Sequence, residues 1–257
     1  MSYFKGVKIT FLGTGASSGT PVPGCDCRVC RSKNPRDRRL RPALLLEWNG
    51  RHVLIDTPPE LRLQLLSTKV RKIDAILFTH CHADHVYGLD DVRIFSRERK
   101  IPVFGDARTL AELKRIFPYV FKRTQKAGGK PRLRLKAVET PFRLFGSKIT
   151  PLPVYHGNRS IRGFRLDGFA YIPDCSRIPE KTYGMLTGLN VLALDALRET
   201  PHPTHFSLSE SLQAAARIGA KRTWLTHISH AMGYTAMRSK LSATVDAAYD
   251  GLTIRAG

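Results

Sequence analysis

The chain has 257 residues, of which 42% are hydrophobic and 25% charged, a balance ordinary for a globular protein. No run approaches the roughly 20 apolar residues of a membrane span, and "MSYFKGVKITFLG" has no signal-like apolar stretch; one cytoplasmic domain over 1–257 is expected, with no membrane partner. Lys and Arg number 42 against 21 acids, and the net charge of +21 predicts attraction to polyanions such as nucleic acid, or reflects solubility alone.

In chain order, "VKITFLG" reads as a first strand and "GTGASSGTPVPG" as a glycine-rich turn region that lacks the Gly-Lys-Ser/Thr of a P-loop. "ALLLEW" and "RHVLID", joined by Asn49-Gly50, predict a hairpin. "PPELRLQLLSTK" has the spacing of a short helix. "IDAILFT" (73–79) reads as a buried strand that delivers the chain to "HCHADH". Next come a strand at "IPVFGD", a helix at "ARTLAELKRIF", one or two strands over 142–155, and a hairpin turning at Asp167-Gly168. "NVLALDAL" is a buried strand. "SLSESLQAAARIGA" is a helix with Ser207 as N-cap, Glu210 completing a capping box and Gly219 near its end. "RTWLTH" is a strand, "AMRSKLSATVDAAY" (236–249) a helix, and "DGLTIRAG" a last strand. Strands that end in ligand-type residues recur, which implies two packed sheets with helices outside.

Two basic runs stand out, at 28–41 and 113–138. Phe117, Tyr119 and Phe121 interleave with the second. Arginines among aromatics suit nucleic-acid contact; a solvated surface is the plainer alternative.

"THCHADH" carries the sharpest chemistry. His80, His82, Asp84 and His85 fall within six residues at the mouth of a buried strand, and imidazole with carboxylate suits borderline divalent metals. Alternate residues leaving a strand face opposite sides. His80 and His82 are therefore expected to face one metal while Asp84 and His85 turn to a second.

His-x-His-x-Asp-His after a strand resembles the metallo-β-lactamase superfamily. That resemblance implies an α/β fold, the four-layer αββα sandwich, in a single domain with one or two metals at the sheet edges. It implies that Asp56 of "VLID" supports the ligand shell. One metal would take His80, His82 and His156 and the other Asp84, His85 and His227, with Asp174 of "YIPDCS" bridging them. The catalytic metals are expected to be Zn, Mn or Fe.

Cys25, Cys27 and Cys30 of "GCDCRVC" are too crowded for a disulfide framework and are expected to form a structural zinc loop at 24–31, a reduced, unmetallated cluster being the alternative. Such a zinc wants four ligands. Cys81 and Cys175 sit beside the catalytic residues, so His230, the spare of "LTHISH", is the expected fourth. His227 and His230 then serve different metals.

This cysteine loop with "HISH", "DCSRIPEKT" and "DGLTI" resembles the accessory phosphodiesterase of the carbon–phosphorus lyase pathway. The resemblance implies a small cyclic phosphodiester as substrate: phosphoribosyl 1,2-cyclic phosphate or a 2′,3′-cyclic nucleotide, attacked by a hydroxide that the metals share. It also implies a homodimer and an active-site histidine at His205, able to protonate a leaving oxygen. His202 is a weaker candidate, and His52 carries no function. The pyrroloquinoline-quinone relative departs from the intact ligand set, and a glyoxalase-type thioesterase would need a C-terminal extension. The rivals are a ribonuclease of the transfer-RNA 3′-processing type and a non-catalytic, metal-stabilised nucleic-acid binder.

Overall fold

The structure is a computed structural model that describes residues 6–122 and 129–257. Strands β1 (Val7–Gly13), β2 (Ala43–Trp48), β3 (Arg51–Ile55), β4 (Ala75–Leu77), β5 (Ile101–Gly105) and β6 (Leu133–Ala137) come first in the chain. β7 (Phe142–Leu144), β8 (Ser147–His156), β9 (Arg159–Leu166), β10 (Phe169–Ile172), β11 (Val191–Asp195), β12 (Arg222–Thr226) and β13 (Val245–Ala247) follow, and β14 (Thr253–Ala256) closes the chain. They form two seven-stranded sheets, ordered β14-β1-β2-β3-β4-β5-β6 and β13-β12-β11-β10-β9-β8-β7.

Side-chain alternation along the strands builds the layers. Val7, Ile9 and Phe11 of β1, Leu44 and Leu46 of β2 and Val53 and Ile55 of β3 face inward. They pack on Ile149, Phe164, Phe169, Tyr171, Val191 and Ala193 of the other sheet. The intervening residues face outward. On the first sheet they meet α1 (Leu61–Leu66), α2 (Ala83–Val86), α3 (Ala107–Ile116) and α4 (Pro118–Phe121). On the second they meet α5 (Glu180–Gly184), α6 (Leu208–Ile218) and α7 (Tyr234–Arg238). The result is a four-layer αββα sandwich with its core between the sheets. No helix among the described residues is long and apolar enough to cross a membrane.

Direction within the sheets positions the site. β3, β4 and β5 run parallel, as do β10, β11 and β12, and β8 shares the direction of β10 through the antiparallel β9. All these strands release their C-terminal ends at one edge of the sandwich, where parallel sheets commonly place ligands.

One expectation fails locally. The helix expected over 236–249 stops at Arg238, and Val245–Ala247 instead form β13, parallel to β12. Val245, Ala247 and Ala248 are buried, and pairing at the sheet edge overrides the helical spacing. In the second basic run, Leu133–Ala137 form the edge strand β6, with Leu133 and Leu135 turned to the outer core and Arg134 and Lys136 on the opposite side. Charge on an edge strand discourages pairing with another chain.

Candidate metal centre

Strand ends deliver the chemistry, and His156 closes β8. Asp56 follows β3, Thr79 to His85 follow β4, Asp174 follows β10, and His227 follows β12. Asp56, Asp174 and His227 adopt left-handed backbone, with φ of 65°, 53° and 58°. For non-glycine residues this costs on the order of 1 kcal/mol each, and such strain gathers where a side chain must be aimed.

His80, His82, His156 and Asp174 each offer a ligand atom, and these atoms lie within 4.8 Å of one another; Asp84, His85, Asp174 and His227 form a second such group. Asp174 belongs to both. His85 Nε2 is 3.1 Å from Asp174 Oδ1 and 3.5 Å from Asp84 Oδ2. His227 Nε2 is 3.3 Å from Asp174 Oδ2, and His80 Nε2 is 3.8 Å from that same oxygen. Nitrogen and oxygen ligands about 2.0–2.2 Å from one tetrahedral ion stand roughly 3.4 Å apart, so the spacing fits a metal. The Nε2 atoms of His80, His85 and His227, with Asp84 Oδ2 and Asp174 Oδ1, are buried without a hydrogen-bond partner among the described residues. Converging orphans of this kind are costly unless an ion satisfies them.

Neighbouring groups set each ring's orientation. Asp56 is fully buried and offers no ligand atom to either group. It accepts from Thr79 N at 2.9 Å, from Thr79 Oγ1 at 2.8 Å and from His85 Nδ1 at 2.7 Å. His156 Nδ1 donates to the Thr204 carbonyl at 2.7 Å. Each bond leaves Nε2 for the centre. Asp56→Asn should therefore keep the fold but weaken metal binding about 10–100-fold. Competition with a metal chelator checks this, and unchanged affinity would remove Asp56 from the ligand support.

His205 is buried beside both groups. Its ring packs 4.6 Å from His156 and 4.8 Å from His227. Asp195, at the end of β11, accepts from His205 Nδ1 at 3.2 Å and from the backbone N–H of Cys175 and Phe206, and lies 3.6 Å from His227 Nδ1. The Ser207–Glu210 capping box starts α6 two residues later and holds this turn in place. Sequence reasoning missed Asp195. The signal was present, since "NVLALD" ends a buried strand in Asp just as "VLID" does at Asp56. His202 is on the rim, its Nδ1 engaged with Thr204, and His52 pairs with Glu47 on the β2–β3 hairpin, away from the centre.

A third group joins the chain's two ends. The Sγ atoms of Cys25, Cys27 and Cys30 lie 3.4, 3.4 and 3.5 Å from His230 Nδ1. A tetrahedral zinc with S and N ligands separates them by about 3.6 Å, so these residues fit one. The Cys30 amide and His230 lower the Cys27 thiol to about 6, while burial pushes Cys30 up to about 11. Cys175 is buried and Cys81 half-buried, and neither joins this group.

Two arginines of the first basic run serve this junction. Arg39 is buried; it donates to the carbonyls of Ser229 and Met232 and pairs with Asp37, which accepts from Tyr234 N. Arg36 stacks on Tyr234 and Tyr249, and Arg41 pairs with Glu60. In the second run Phe117 is buried, the Tyr119 hydroxyl donates to Asp90, and Arg115 pairs with Glu112. Arg123 and Lys126 lie outside the described residues.

A family model described as a beta-lactamase superfamily domain matches residues 51–228, which span β3 to the end of β12 and His227. The chain belongs to this superfamily. A crystal structure of a diphosphatase from the PhnP family is 42% identical, with a TM-score of 0.92 and 97% of each chain covered, which places the chain in that branch. An octanoyltransferase of Porphyromonas gingivalis is 33% identical over 251 residues, 96% of this chain but 51% of that protein. A ribonuclease Z of Methanococcus maripaludis is 30% identical over 116 residues, 43% of this chain and 32% of that protein. The chain thus spans about half the length of the first of these curated relatives and about a third of the second. Superfamily membership and the His/Asp groups make this domain a metal-dependent hydrolase that binds divalent metal.

Electrostatics in the superfamily centre give it a pH dependence. Burial opposes charge on His85, but Asp174, Asp84 and Asp56 outweigh it and hold the ring well above the usual histidine range. Burial also opposes charge on His227, yet Asp174, Asp84 and Asp195 carry it from 6.5 to about 9. Burial holds His80 well below its usual value. The raised His227 proton stabilises the metal-free fold fully below pH 6.5, and that contribution is lost as pH rises through about 9. A metal needs the neutral ring. Across the same window, metal affinity should rise while the melting temperature of metal-stripped protein falls. Calorimetric titration and thermal melts at several pH values check both, and pH-independent affinity would contradict the scheme.

Proposed function

We propose that the domain is a phosphodiesterase that opens small cyclic phosphodiesters, such as phosphoribosyl 1,2-cyclic phosphate or 2′,3′-cyclic nucleotides. One observation carries the reading: His205 packs against one ring of each ligand group while Asp195 holds its far nitrogen. A proton donor beside a dinuclear centre suits attack on phosphorus with expulsion of an alkoxide. The likeness to the PhnP-family diphosphatase supports phosphorus–oxygen chemistry.

In this reading His80, His82 and His156 hold one metal, Asp84, His85 and His227 the other, and Asp174 bridges them. Such metals supply, when bound, a water activated for attack and positive charge beside the phosphoryl oxygens. Asp56 orients His85, and the Thr204 carbonyl orients His156. Asp195 takes the His205 Nδ1 hydrogen bond, so Nε2 faces the centre and delivers its proton to the departing sugar oxygen. Cys25, Cys27, Cys30 and His230 hold a structural zinc that ties the N-terminal loop to the segment bearing His227.

A ribonuclease reading draws on the net charge of +21 and the ribonuclease Z relatives. It is weakened because Arg36, Arg39 and Arg41 are engaged within the fold. Metal-loaded protein incubated with a 2′,3′-cyclic nucleotide and with a structured RNA separates the two, with Asp84→Ala as the blank. We expect cyclic-nucleotide opening that changes little with salt. RNA cleavage that falls steeply with salt, with the cyclic nucleotide untouched, would overturn the proposal.

A further inference from the structure

We propose that Arg159 sets specificity by binding a second phosphate on the substrate, outside the diester that reacts; this rests on the phosphodiesterase reading above. β8 and β9 are joined through Gly157, at φ 59°, and Asn158, and His156 faces Arg159 as the pair that closes this hairpin. Directly opposed residues of an antiparallel pair project to the same face. The turn therefore sets a permanent cation beside a ligand-type imidazole. Arg159 Nη1 reaches to 3.4 Å from His82 Nε2 and 3.9 Å from Cys81 Sγ.

Among the described residues no carboxylate stands within ion-pair distance of Arg159. Other arginines differ. Arg162, three residues on, pairs with Glu139 and Asp106, and Arg115 pairs with Glu112. A guanidinium with no carboxylate partner, set beside residues that fit divalent metal, favours an anion as its counterpart.

Position separates this anion from the reacting group. His80, His85 and His227 are buried, whereas His82 is half-buried and outermost. Arg159 touches His82, the outermost of these residues, whereas His205 packs on His156 and His227. A group that reaches Arg159 thus extends from the metal centre toward solvent. The guanidinium fork matches the oxygens of a terminal phosphate better than a point charge would.

The test compares adenosine 2′,3′-cyclic phosphate with its 5′-phosphorylated counterpart in wild type, Arg159→Met and Arg159→Lys, all metal-loaded. The readout is the ratio of the two kcat/KM values. Wild type should favour the phosphorylated substrate by about tenfold or more. Arg159→Met should bring the ratio near one, and Arg159→Lys should keep part of the preference. A merely structural role would lower both rates and preserve the ratio. A ratio that survives in Arg159→Met, or is already near one in wild type, overturns the proposal. If wild type turns over neither compound, the phosphodiesterase reading fails by itself, and calorimetric binding of adenosine 5′-monophosphate then decides. Weaker binding by Arg159→Met sustains the phosphate site, and equal binding overturns it.

Discussion

Asp174→Asn should lower turnover of a phosphodiester by on the order of a thousandfold or more while leaving the fold intact. Asp174 is the residue common to both ligand groups, so one substitution strikes both. Burial opposes its charge, yet His227 and His85 hold the carboxyl well below the usual carboxylate range. The neutral amide keeps the shape but removes that charge, and it offers one carbonyl oxygen in place of two carboxylate oxygens. Metal content by elemental analysis should fall alongside the rate, and circular dichroism should remain native. Full activity with full metal content would end the shared-carboxylate scheme. Asp84→Ala and His82→Ala each strip one group alone, and both should also lose activity.

Cys27→Ala should lose the zinc proposed for this group and several kcal/mol of stability, a fall in melting temperature on the order of 10 °C. Three thiols and His230 surround one point, and removing Cys27 takes away the ligand already inclined to be a thiolate. The loop also carries Arg36 and Arg39 on to the segment 229–234, so its release loosens the strand end that presents His227. Zinc count and thermal melts check the prediction. An unchanged melting temperature would mean that the buried Arg39 and its carbonyl partners hold this junction without metal.

Short-range patterns were legible because their causes are local. The His80-to-His85 run displays its ligands within six residues. Ser207 and Glu210 announce a helix start by mutual capping, and Asn49-Gly50 marks a hairpin by its turn chemistry. Recurring strands that end in ligand-type residues implied two sheets, and three crowded cysteines asked for a fourth ligand from elsewhere. Residue type, spacing and strand-end position pointed to the ligand candidates, and the family resemblance they carry implied the fold class.

Only the tertiary structure decided which distant groups meet. Asp195 joins His205 to His227 because β11 and β12 run parallel and end together, a relation that no window of sequence contains. Arg39 looks like one more basic residue of a surface run, yet it is buried against the carbonyls of Ser229 and Met232, some 190 positions away. The helical spacing of 236–249 gave way at Val245 because an open sheet edge offered β13 hydrogen bonds and burial together. Arg159 gains its place beside His82 from a hairpin register combined with the packing of one sheet on the other. The sequence determines which side chains stand at each strand end; the order and direction of strands within the sheets decide which of them share a centre.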